Sequence, residues 1–228
     1  MSDLDLSTFY ALREGAATQP DGGPCRLTTH DLGTLRARSG QVGACDPFVY
    51  LSDPAVEEVP PGDYPVRVTV ADVSEAADGS HLREAYLSLV LSDAPSVRAA
   101  YARNMNGSAT GSHDLGIVGV DAGTVAFVDA AAIRSGMPDP RVQNWYDALF
   151  DNGTTSSWFA LMDDPGHLRA GCANIPLPLS EGEANVVLAH SGWGDGAYPL
   201  VFTLDAAGRP TGLHIDLLVA GPLDPDLG

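Results

Sequence analysis

The sequence predicts an α+β, β-rich fold: mainly antiparallel sheet in a sandwich-like body, with two or three short helices in the middle of the chain. Three observations predict it. Runs in which apolar residues alternate with wetter ones occupy both ends of the chain, and period two marks strands with one buried face. The 25 glycines and 17 prolines are dispersed rather than periodic, as a fold with many turns requires. The clearest helical spacing lies in the middle, between two strand-rich parts, which argues against a doubly wound α/β fold.

Taken in order, residues 1–32 read as an N-terminal arm. Leu4, Leu6, Phe9, Tyr10 and Leu12 have the spacing of a short amphipathic helix, packed on the body or loose, which the turn-forming stretch Pro20-Asp21-Gly22-Gly23-Pro24 then breaks. Residues 33–219 read as a single β-rich domain and 220–228 as a C-terminal tail. Ser39-Gly40 lies between two β-like stretches, 33–37 and 41–44, and reads as a hairpin turn. Val66, Val68 and Val70 form one alternating run after the rigid loop 59–65, and Leu87, Leu89 and Leu91 form the next. Residues 94–103 fit helix or strand. Residues 115–120 and 124–128 read as strands around Asp121-Ala122-Gly123.

Asp139 then suits an N-cap and Pro140 the first helical position. Val142, Trp145, Tyr146 and Leu149 follow at i, i+3, i+4 and i+7, and Gly153 suits the stop. A second short helix carries Trp158, Leu161 and Met162. Val186 to Ala189 reads as a fully buried strand run. Leu200, Phe202 and Leu204, and then Leu213, Ile215, Leu217 and Val219, alternate about Asp205-Ala206-Ala207-Gly208, a type I turn closing a hairpin. Val68, Leu89, Val118, Phe127, Val187, Phe202 and Ile215 are the expected sheet core.

Composition bounds the function. With 44% hydrophobic and 18% charged residues the chain is globular rather than disordered. Twelve cationic residues, all arginine, face 30 acidic ones, for a formal net charge of −18. Such a field repels phosphate backbones and anionic lipid, so neither nucleic acid nor membrane is expected as a partner; it favours a basic protein or metal ions, or serves solubility alone. Cys25, Cys45 and Cys172 are too few and too scattered for a disulfide framework, so free thiols in the cytoplasm are expected.

The common catalytic signatures are absent. Without lysine there is neither a phosphate loop nor a Schiff-base lysine, and no GxSxG or HExxH occurs. His30, His81, His113, His167, His190 and His214 show no metal-ligand spacing. No organic cofactor is indicated. The stretch Ser191-Gly192-Trp193-Gly194-Asp195-Gly196-Ala197-Tyr198 stands out. It fails as a dinucleotide fingerprint because Tyr198-Pro199 leads into strand, not helix. It reads either as a tight bulged connection with Trp193 folded on the core or as a binding surface. Ser191, Trp193, Asp195 and Tyr198 are its candidate residues, joined by Asp46 and Asp121 in two acidic turns. Aspartate in such turns ordinarily bonds its own backbone. Convergence of Asp46, Asp121 and Asp195 would instead make a hard-cation or acid–base cluster.

The segments Gly33-Thr34-Leu35, Cys45-Asp46-Pro47, residues 61–66 (PGDYPV), Val120-Asp121-Ala122-Gly123 and residues 191–198 (SGWGDGAY) together resemble a bacterial family. It is the domain-of-unknown-function family numbered four-two-four-one, and the likeness spans about residues 33–219. The resemblance implies a cytoplasmic bacterial protein and no particular reaction. Two function classes follow from the residues: an acidic interaction protein of the immunity or antitoxin kind that binds a basic partner, or a hydrolase-like or small-ligand enzyme whose acidic turns meet at the glycine-rich loop, with or without a divalent ion.

Overall fold

The computed structural model describes residues 3–103 and 115–223. His113 and the tail beyond Leu223 lie outside them. The strands are β1 (Asp3–Leu4), β2 (Gly15–Thr18), β3 (Pro24–Ala37), β4 (Gln41–Cys45), β5 (Ala55–Glu58), β6 (Gly62–Asp72), β7 (Leu82–Val90), β8 (Arg98–Tyr101), β9 (Ile117–Val120), β10 (Thr124–Asp129), β11 (Cys172–Pro176), β12 (Asn185–His190), β13 (Gly196–Leu204) and β14 (Pro210–Asp216). Helix α1 (Ala130–Gly136), a π-helical turn (Tyr146–Phe150) and helix α2 (Trp158–Asp163) fall between β10 and β11. The fold is the expected β-rich α+β class.

Two antiparallel sheets face each other. The larger runs β1-β8-β13-β14-β7-β6-β3-β2, with β9 pairing the first half of β13. The smaller runs β11-β12-β10-β4-β5. The apolar faces of both meet in one core that includes Val68, Leu89, Val118, Phe127, Val187, Phe202 and Ile215, all buried as the alternation requires. The smaller sheet is buried on its other face too. There Ala126, Val128, Val186 and Leu188 pack under Ile133, Met137, Phe150, Trp158 and Met162 of the helical layer. That is why 186–189 reads as an unbroken apolar run rather than an alternating one.

The arm is strand and turn, not helix. β1 lines the β8 edge, β2 lines the β3 edge, and the turns between them cross the outer face of the larger sheet. Phe9 rests edge-on against Tyr86 and His214, with ring centroids 5.2 and 5.4 Å away. Beneath it runs a polar chain: His214 Nδ1 lies 2.9 Å from Ser88 Oγ, and His214 Nε2 lies 3.0 Å from Thr203 Oγ1. Burial pushes the His214 pKa down to about 3, so the imidazole is held neutral. Residues 24–32 belong to β3, so the expected boundary at residue 32 falls inside a strand. Ala220 accepts a bond from Tyr86 Oη at 2.7 Å, and Gly221 donates to the Thr18 carbonyl at 2.8 Å, so the start of the expected tail is bound to the arm.

Two further expectations are corrected. Ser39-Gly40 is not a hairpin turn, because β3 and β4 lie in different sheets. Asp129, the N-cap of α1, also accepts bonds from Ser39 N–H at 2.8 Å and Ser39 Oγ–H at 2.6 Å, and so pins the crossing. The stripe from Val142 to Leu149 is not one helix. Asp139 does cap a single turn, but the next segment starts afresh, with Asn144 Oδ1 accepting from Tyr146 N–H, and Val142 is 86% exposed. A solitary turn of helix is not self-sustaining. Trp145 and Phe150 packing on the second core decides the path instead. Helix α2 carries Trp158, Leu161 and Met162 as expected, capped by Ser157 Oγ. Residues 98–101, ambiguous in sequence, are strand β8.

Candidate functional site

Residues 191–195 carry the chain from β12 in the smaller sheet to β13 in the larger, and residues 121–123 make the reverse crossing from β9 to β10 beside them. The two crossings are tied together. Ser191 N–H donates to the Gly123 carbonyl at 3.0 Å, and Gly123 N–H donates to Asp195 Oδ1 at 3.1 Å. Within the loop, Ser191 Oγ–H and Tyr198 Oη–H both donate to the Gly194 carbonyl, at 2.7 and 2.8 Å. Ser191 and Tyr198 are buried and act as internal ties.

Gly192 is required by close approach. Its φ is +68°, and a Cβ there would lie 2.6 Å from the Glu84 carbonyl oxygen and 2.7 Å from Val219. The loop is therefore pressed against β7. The Glu84 side chain, in turn, pairs with Arg169 at 3.2 Å in a largely buried ion pair.

Asp46 lies beneath the 121–123 crossing and is fully buried. Its Oδ2 accepts N–H bonds from Asp121 at 3.0 Å and Ala122 at 2.6 Å. Its Oδ1 accepts from Thr124 Oγ at 2.8 Å and Phe48 N–H at 3.1 Å. Asp46, Asp121 and Asp195 thus do gather around one turn, but not as three free carboxylates. Asp46 is spent on backbone and hydroxyl donors, Asp121 takes part through its N–H with an exposed side chain, and Asp195 lines a cavity. Among the described residues no three His, Cys, Asp or Glu side chains are placed to hold a metal ion. Cys45, next to Asp46, is buried, and desolvation and then the Asp46 charge push its thiol well above the ordinary value, so it is a poor nucleophile. The three cysteines are unpaired.

Trp193 is the exposed member of the loop, with 52% of its surface open. The Arg83 guanidinium carbon stands 5.2 Å from the centre of its ring, and His81 meets it edge-on at 6.0 Å. Beside it opens a cavity of about 470 Å³, whose walls include Asp21, Trp193, Asp195, Tyr198, Leu218 and Leu223. Two larger hollows, of about 670 and 610 Å³, lie on the helical layer and contain none of the candidate residues. Arg83, His81 and Asp21 escaped the sequence reading. Only the turn chemistry around Asp21 was visible, and nothing local tied it or β7 to a loop more than 100 residues away.

No helix of the described residues is long and apolar enough to cross a membrane. No curated protein and no solved structure matches the chain. Residues 35–215, which take in Asp46, both crossings and the whole tryptophan loop, match the family described as Protein of unknown function (DUF4241), and the chain belongs to that family.

Proposed function

We propose that this protein is a binding module that docks a basic protein through the loop 191–198, in the manner of an immunity protein or antitoxin. The observation that carries this reading is Trp193. A large aromatic side chain is held half in solvent on a loop whose neighbours are tied down by Ser191, Tyr198 and Asp195. A pre-ordered aromatic anchor at a cavity rim is how interfaces concentrate binding energy at little entropic cost. The formal charge of −18 favours a cationic partner and speeds its approach. Three unpaired thiols suit a reducing compartment, so we place the protein in the cytoplasm. The enzyme alternative depended on three converging carboxylates, and Asp46, with both oxygens committed, has no capacity left for a metal ion or a proton transfer.

The test pairs the protein with the products of the genes that flank its own and measures complex formation by calorimetry and stopped flow. Trp193→Ala is expected to weaken the complex about 30-fold, the scale of an interface anchor. Association is expected to slow steeply as salt rises. A complex indifferent to Trp193→Ala would remove the loop from the interface.

A further inference from the structure

We infer that the cavity beside Trp193 is a socket for one arginine side chain of the partner. This rests on the loop being the docking surface and specifies what enters it. The walls have two chemistries. Trp193, Tyr198, Leu217, Leu218 and Leu223 supply an apolar lining, while Asp21 and Asp195 bring two carboxylates to the same cavity. An apolar side chain would leave the carboxylates unmatched, and an acidic one would be repelled by them. A long side chain with an apolar stem and a cationic head matches both parts.

Each carboxylate is oriented by one backbone N–H, local for Asp21 and from the neighbouring crossing for Asp195. Asp21 Oδ1 accepts Gly23 N–H at 2.8 Å, and Asp195 Oδ1 accepts Gly123 N–H at 3.1 Å. Among the described residues the Oδ2 atom of each makes no hydrogen bond, so one oxygen of each remains for an incoming donor.

Arginine is preferred over lysine for a geometric reason. A guanidinium presents five donors in one plane, can bridge two carboxylates and can lie on an indole. An ammonium is a compact, strongly hydrated charge. The Trp193 ring already takes a guanidinium, that of Arg83, at 5.2 Å. Arg83 is not among the cavity walls, so it does not fill the socket.

The experiment titrates the full chain with hexa-arginine and hexa-lysine peptides at matched ionic strength, followed by calorimetry and tryptophan fluorescence. Long-range attraction acts on both peptides alike, so the ratio of affinities isolates the socket. Hexa-arginine is expected to bind about fivefold more tightly, the scale of one exposed cation–π contact. That preference is expected to vanish in Trp193→Ala and in the double variant Asp21→Asn, Asp195→Asn. Asparagine keeps the oxygen that accepts Gly23 or Gly123 N–H, so the loops stay folded while the charges go. Equal affinities, or an arginine preference that survives the double asparagine variant, would overturn the socket. The docking reading fails separately, if neither peptide's binding responds to Trp193→Ala.

Discussion

The turn at 205–208 and the paired crossings at 121–123 and 191–195 are built from the same vocabulary of aspartate and glycine, yet they are held in opposite ways. In the hairpin, Asp205 Oδ1 accepts from Ala207 and Arg209 N–H at 2.8 and 2.9 Å, and its other oxygen pairs with the Arg209 guanidinium. Every partner lies within four residues. In the crossings, Asp46 accepts from donors 75, 76 and 78 residues away, and Asp195 from one 72 residues away. The hairpin is a local solution to a local problem. The crossings need four separated segments to arrive before any of them is stable, and so they resist prediction and place side chains that no short motif could place.

The difference can be tested by breaking it. The largest effect is expected at Asp46, where Asp46→Ala leaves the buried Thr124 hydroxyl and three part-buried backbone N–H groups without their acceptor. Urea unfolding should show a loss of about 3–5 kcal/mol, or no folded protein at all. A loss under about 1 kcal/mol would mean that the crossing is held by something else. Next come two glycines that share a positive φ but not their surroundings. Gly192 at +68° faces the Glu84 carbonyl, whereas Gly208 at +78° faces open space. Gly192→Ala should cost about 2–4 kcal/mol, from strain plus a backbone clash, against about 1 kcal/mol of strain alone for Gly208→Ala. Equal costs would show that the loop can lift off β7.

The hairpin also has a pH-dependent end. Asp216, at the far end of β14 and paired in register with Tyr86, has its pKa raised by burial to about 7. A group raised in this way favours the folded state fully below its unfolded value of about 3.8, and the contribution is lost as pH rises through 7. Asp216→Asn removes the dependence. The variant should therefore gain stability relative to the parent between pH 5 and 8, by about 1 kcal/mol once the water reaching this partly exposed group is allowed for. Parallel melting curves across that range would count against it. Asp205→Ala should cost about 1 kcal/mol, because the turn keeps its backbone bonds. Smallest of all, Trp193→Ala should lower stability by no more than about 1 kcal/mol, since the indole is half in solvent. Unfolding of that variant would make the loop architecture rather than surface.

How much of the site could be read in advance follows the same division. The sequence singled out residues 191–198 because three glycines between two apolar runs are costly unless something needs the space. The structure assigns part of that cost to architecture: Gly192 yields to Glu84, and Ser191 and Tyr198 turn inward. Trp193 and Asp195 remain at the surface. The helix expected from Pro140 towards a stop at Gly153 failed because spacing alone cannot say whether a stripe finds a core. Val142 found none, while Trp145 and Phe150 did.

What depends on near neighbours was legible in the sequence. That comprises the alternation that buried seven core residues, the hairpin about Asp205, helix α2, the charge of −18 and membership of a family whose motifs lie at its turns. Long-range packing set which sheet each strand joins, that Ser39-Gly40 crosses between sheets, that the arm straps the larger sheet, and that Asp46 is spent beneath a turn while Asp21 and Arg83 stand beside Trp193. The physical reason is the range of the forces involved. A period of two and a capped turn act over a few residues. Sheet assignment and carboxylate satisfaction, by contrast, are settled only when chain ends of several loops, far apart in sequence, are brought together and every buried donor must find an acceptor.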